Sequence, residues 1–150
     1  MATAEFRRFK KLLQDTGHFV TMPRMRLFAV LQKKTALTLK ELIKHSDRYD
    51  QATVYRNVDL FERLGIINRV QLGWHTKIEL SDIFQHHHHH MTCVNCGEVS
   101  DLHEDSVIEH HIVKLAKENG FEAMDHQLEI RGLCRSCQRH RKSSDFLAKS

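Results

Sequence analysis

The chain has 150 residues, 41% of them hydrophobic and 28% charged, which suits two small globular domains or one medium one. No apolar run approaches the roughly 18 residues of a membrane-spanning helix. The opening MATAEFRRFKK also lacks the long apolar core and cleavage site of a signal peptide. A cytoplasmic protein is therefore expected, and the net charge of +4 agrees with an anionic partner without requiring one.

In chain order, Phe6, Phe9, Leu12 and Leu13 recur at helical spacing with Arg7, Lys10 and Lys11 between them. This predicts an amphipathic first helix that stops near Gly17. Thr21 is placed to cap a second helix, with Pro23 in its first turn and Leu27, Val30 and Leu31 along one side. Thr38-Leu39-Lys40-Glu41 has the form of a capping box and predicts a third helix with Leu39, Leu42 and Ile43 inward. Asp50 caps a fourth helix, Gln51–Leu64, ended by Gly65; Val54, Val58 and Phe61 form its inward stripe. The period then changes. Ile66–Leu72 and Lys77–Leu80 read as short strands around Gly73-Trp74-His75-Thr76, a hairpin.

Helices followed by a hairpin predict a winged helix-turn-helix, with the fourth helix as the reading element. A helix fits the major groove, and polar side chains near its N-terminal end reach bases and phosphates. Arg56 can donate to phosphate or guanine, and the Tyr55 ring can meet a thymine methyl. The structural alternative is that Tyr55 is half-buried and Arg56 pairs with a surface carboxylate. Thr53 and, from the second helix, Arg24 complete the expected DNA-binding set. Basic residues are frequent in the first quarter and again at 139–142.

Ser81–Gln85 is a connector without Pro or Gly. Beyond it, Met91–Cys93 and Val99–Leu102 predict strands around a Cys-x-x-C-Gly turn, Asp105–Asn119 a helix, and Phe121–Leu133 a longer strand. The predicted fold class is α+β. An N-terminal winged helix-turn-helix domain (1–80) and a hinge and metal-binding connector (81–90) precede a C-terminal α/β dimerisation domain with a small antiparallel sheet (91–150). So small a core calls for a metal staple and a dimer partner.

Cys93-Val-Asn-Cys96 and Cys134-Arg-Ser-Cys137 account for all four cysteines. In a cytoplasmic chain such pairs favour metal over disulfides. Four thiolates complete a tetrahedral Zn²⁺ shell with no open position, hence a structural site; inert thiols or an iron–sulfur cluster are the alternatives. Five consecutive histidines, His86–His90, precede the first pair. In an extended chain, His86, His88 and His90 face one way and His87 and His89 the other, so one run can feed two metal sites. Imidazole suits Zn²⁺, Fe²⁺, Mn²⁺, Ni²⁺ and Co²⁺ alike. His126 has the parity of Leu128 and Ile130 and should point inward. Glu109 lies on the helix above the sheet, Asp101 follows the thiolate turn, and Glu79 ends the wing. No H-E-x-x-H and no H-x-E ahead of P-C-x-x-C is present, so an enzyme is not expected. A zinc-dependent enzyme or a metal store or chaperone is the rival reading.

The order of winged helix, HHHHHxxCxxCG and HxLEIxGxCxxC resembles the ferric uptake regulator (Fur) superfamily over nearly the whole chain. TMPRMRLFAVL and ATVYRNVDLFERLGII are similar to that family's DNA-binding half. The resemblance implies a cytoplasmic, homodimeric, metal-responsive transcription factor that binds a palindromic operator, usually as a repressor. It implies a regulatory metal site of Glu79, His88, His90 and Asp101, and a second site of His87, His89, Glu109 and His126. Implied cofactors are structural Zn²⁺ and a regulatory Fe²⁺, Mn²⁺ or Zn²⁺. Three departures stand out. Lys33–Thr38 holds no histidine where many members supply a ligand, so the regulatory site loses one, uses water or recruits another group such as His75. Phe19 replaces a basic residue common before V-T-x-x-R. No spare cysteine exists for the joint, as the zinc-sensing branch often has. Iron, manganese, zinc and peroxide sensing all stay open.

Overall fold

In the computed structural model, residues 3–34, 36–46 and 48–140 are described. Residue 35 of the 33–38 segment and residues 141 and 142 of the basic run lie outside them. The chain divides into two compact units, Met1–His86 and His87–Ser150, the division falling inside the segment expected as a connector. Among the described residues no helix is long and apolar enough to cross a membrane.

The first unit holds four helices and a hairpin: α1 (Ala4–Asp15), α2 (Met22–Lys33), α3 (Leu39–His45), α4 (Gln51–Arg63), β1 (Ile67–Leu72) and β2 (His75–Leu80). The α1 helix starts where Thr3 Oγ1 accepts from the Phe6 amide, and it ends at Gly17, whose φ of 75° suits a residue without Cβ. Thr21 takes the cap conformation of α2, but its side chain makes no cap hydrogen bond. Pro23 sits two residues on, where it has no N–H to offer. At α3 the capping box is complete: Thr38 Oγ1 accepts from the Glu41 amide at 3.3 Å, and the Glu41 carboxylate accepts from the Thr38 amide at 2.8 Å. Asp50 caps α4 by accepting from the Thr53 amide at 2.6 Å.

Aromatic rings organise the core of this unit. Phe9 stacks on Phe28 with centroids 4.2 Å apart, and Phe61 meets Phe9 edge-on at 5.3 Å. Phe84, from the expected connector, is also buried here and meets Phe28 edge-on at 5.2 Å. Each fully buried ring of this kind contributes about 1.5–3 kcal/mol. The hairpin is antiparallel and pairs Leu72 with His75, so its turn is Gly73-Trp74 alone, two residues shorter than expected. Gly73, with φ of 57°, supplies the first central position of a tight primed turn, which lets the strands extend to the tip. A bridge from Leu37 to Ile78, closed by hydrogen bonds of 2.9 and 2.7 Å, ties the hairpin to the segment before α3.

The second unit contains β3 (His88–Cys93), β4 (Val99–His103), α5 (Ser106–Glu118) and β5 (Glu129–Gly132), with sheet order β4-β3-β5. The expected antiparallel pairing holds for β3 and β4, whereas β5 runs parallel to β3. The chain between β3 and β5 includes β4 and α5, long enough for the crossover that a parallel pair needs. The last strand is shorter than Phe121–Leu133. Its ladder begins at the His90–Glu129 pair, and 121–128 form no strand.

Candidate metal centres and recognition helix

The thiolate turn follows β3, and its partner pair follows β5. The Val94 amide donates to the Gly132 carbonyl at 2.8 Å, which fixes the two ends side by side. The sulfurs of Cys93, Cys96, Cys134 and Cys137 all lie within 4.8 Å of one another, with Cys96 and Cys134 at 3.8 Å. A tetrahedron with Zn–S bonds near 2.3 Å has edges of about 3.8 Å, so this donor set fits a tetrahedral thiophilic ion. The four are unpaired as disulfides. The Cys134 amide donates to Cys93 Sγ at 3.3 Å, and the Asn95 amide group to Cys137 Sγ at 3.2 Å. Backbone N–H groups of Cys134 and then Cys96 favour the anion and pull the Cys93 thiol down to about 6.

A second cluster joins β3, α5 and the segment before β5. His89 Nε2 lies 2.7 Å from Glu109 Oε1, His126 Nε2 lies 3.2 Å from Glu109 Oε2, and the His87 and His126 Nε2 atoms are 3.3 Å apart. Ligand atoms of all four residues lie within 4.8 Å of one another. His89 is 1% exposed. Burial pushes the Glu109 carboxyl up, but the His89 hydrogen bond and the nearby His126 and His87 outweigh it, and the net shift is downward. Three imidazole nitrogens and a carboxylate converging from separate elements match a borderline divalent cation.

Alternation places His87 and His89 in one group and His88 and His90 in another. On the other face of β3, the His88 and His90 rings are 4.8 Å apart, and His88 Nε2 lies 3.9 Å from Asp101 Oδ1. His90 pairs with Asp101 in the β3–β4 ladder and is buried. Glu79 is in the first unit, buried, on β2 opposite Asn68. His75 opens β2, exposed, four residues from Glu79 and about 13 Å along the strand at the usual rise. His126 lies before β5, so its inward position comes from the loop rather than from strand parity.

On α4, Tyr55 is 46% exposed and Arg56 is exposed, while Thr53 is half-buried. Arg56 donates to Thr53 Oγ1 at 3.2 Å rather than pairing with a carboxylate in that bond. Arg24 reaches from α2 to the Phe19 carbonyl and to Asn57 Oδ1 of α4 at 3.3 Å, tying the segment before α2 to α4. A cleft of about 670 Å³ between them is lined by His18, Arg24, Arg56 and Arg63, among others. His18 and Arg63 were not singled out from the sequence, where one histidine and one arginine in isolation carry no signal. His103 stands on β4 opposite His88, a placement that only strand register gives.

Comparison with known proteins agrees with the fold. The profile of the Ferric uptake regulator family matches residues 15–131. The ferric uptake regulation protein of Legionella pneumophila is 33% identical over 133 residues, covering 84% of this chain and 96% of its own. The crystal structure of the Vibrio cholerae ferric uptake regulator is 34% identical with a TM-score of 0.69, over 83% of this chain and 98% of its own. The ferric uptake regulator of Francisella tularensis with iron is 29% identical with a TM-score of 0.68, over 81% of this chain and 96% of its own. This chain is therefore a member of the ferric uptake regulator family of metal-responsive transcriptional regulators.

Proposed function

We propose that the chain is a cytoplasmic, homodimeric repressor whose grip on a palindromic operator is set by a divalent ion held by Glu79, His88, His90 and Asp101. Residues 1–80 bind DNA, 81–90 form the hinge and 91–150 dimerise. Cys93, Cys96, Cys134 and Cys137 hold a structural Zn²⁺, and His87, His89, Glu109 and His126 hold a second ion. Thr53, Tyr55, Arg56 and Arg24 contact the DNA. The observation that carries this reading is the split of the histidine run into two separate donor sets, one on each face of β3. A closed four-thiolate site has no exchangeable position and serves as a staple. Nitrogen and oxygen sets bind Fe²⁺, Mn²⁺ or Zn²⁺ more reversibly and suit sensing. The ion supplies charge and fixed geometry when bound. The side chains of this chain set its affinity, and through the hinge they bias the spacing of two recognition helices about one helical turn, ~34 Å, or a multiple apart. A coupling of about 1–3 kcal/mol makes such a switch useful.

The test is operator binding. Fluorescence anisotropy of the zinc-stapled protein on DNA from upstream of its own gene is measured at fixed salt, with and without Fe²⁺, Mn²⁺ and Zn²⁺. Tightening of specific binding by one ion supports the reading and names the effector. Binding that no ion changes overturns it and reopens metal storage.

A further inference from the structure

The face of the β3–β4 ladder that carries His88 and His90 also holds the imidazole of His103. The ladder pairs His90 with Asp101 and His88 with His103. Residues directly opposite in an antiparallel pair project from the same face, with Cβ atoms about 4.5–5.5 Å apart. Neighbours of like parity along each strand are about 7 Å apart. His88, His90, Asp101 and His103 therefore occupy the corners of a small rectangle, all on the face opposite to His89 and α5. Its diagonal already closes, since His88 Nε2 lies 3.9 Å from Asp101 Oδ1. His103 is exposed at the end of β4, so its ring turns without disturbing a core.

We propose that His103 is a ligand of the regulatory ion, the third imidazole of a nitrogen-rich set with His88, His90 and Asp101. The proposal rests on the reading of His88 and His90 given above. It also answers the absence of histidine from Lys33–Thr38. His75 fits that role poorly, because it lies about 13 Å along β2 from Glu79, with both side chains standing off the strand. With Glu79, the set becomes three imidazoles and two carboxylates, and its imidazoles select borderline divalent ions over Mg²⁺ and Ca²⁺, which prefer all-oxygen shells.

Co²⁺ is the probe, read by its visible ligand-field absorption. The full-length protein keeps zinc in its four-thiolate site and carries His126→Ala to silence the second cluster. His103→Ala should weaken the first equivalent of Co²⁺ by about 10-fold or more, since even outer partners of ligands cost 10–100-fold. Its spectrum should shift as well, while the surface control His110→Ala changes neither. His103→Cys should add a near-ultraviolet thiolate-to-cobalt charge-transfer band. An unchanged affinity for His103→Ala with no new band for His103→Cys, while His88→Ala abolishes binding, overturns the role of His103 and leaves the regulatory site standing. If His88→Ala also binds Co²⁺ unchanged, the reading of the regulatory site falls and the proposal falls with it.

Discussion

His89 Nε2 and Glu109 Oε1 lie 2.7 Å apart, joining the start of β3 to the first turn of α5. The imidazole is 1% exposed, so this contact provides the buried ring with a partner that water cannot replace. Removing the carboxylate leaves a buried polar group unsatisfied, which costs about 1–3 kcal/mol. Glu109→Ala should lower the stability of the metal-free protein by that amount in a urea titration. It should also abolish the added stability that a second equivalent of divalent ion confers. Equal stability of variant and parent would mean that the contact is incidental.

The thiolate cluster makes a separate prediction about the second unit. Its three short strands carry no large buried aromatic, and only Cys93, Thr92, His89 and His90 are buried in it among the described residues. Cys96→Ser or strong chelation should abolish hydrogen-exchange protection across β3, β4 and β5. Protection in α1, α2 and α4 should persist, because the phenylalanine cluster there needs no metal. Retained protection in β3 after zinc removal would contradict a stapling role.

The capping box at α3 links stability to pH. Glu41 is held below its ordinary value of 4.5, first by the Thr38 hydroxyl and then by the Thr38 amide. A carboxyl with a depressed folded value stabilises the protein above its unfolded value and loses that contribution as pH falls through the folded one. Thr38→Ala should cost about 1 kcal/mol at neutral pH, the usual worth of such a cap. The gap between variant and parent should narrow as pH drops below 4.5. A gap that stays constant to strongly acidic pH would show that the carboxylate takes no part.

DNA contacts are separable by salt. Arg56 projects from the exposed side of α4 beside the basic cleft that Arg24 and Arg63 also line. If it neutralises a phosphate, Arg56→Ala weakens binding on all sequences and lowers the slope of log K against log salt by about 1. If it reads a base, the loss is confined to the operator. Tyr55→Phe should change little and Tyr55→Ala weaken specific binding, provided the ring rather than the hydroxyl touches the DNA. Unchanged affinity and slope in both alanine variants would remove α4 from the interface.

Local patterns in the sequence determined much of this protein. The helices announce themselves through caps and apolar spacing: Asp50 before Gln51–Arg63, and Thr38 with Glu41 before Leu39–His45. The metal-ligating residue types and their alternation were legible as well, because a strand has a side-chain period of two and C-x-x-C aims two sulfurs at one point. Tertiary structure decided what depends on long-range pairing. The parallel direction of β5, the two-residue turn at Gly73-Trp74 and the packing of Phe84 into the first unit are set by partners that periodicity does not identify. The same holds for His126, which reaches Glu109 from a loop, and for His103, which strand register alone sets opposite His88. Local preferences act over a few residues, whereas a ligand set is assembled from elements tens of residues apart, so only the folded chain brings those atoms together.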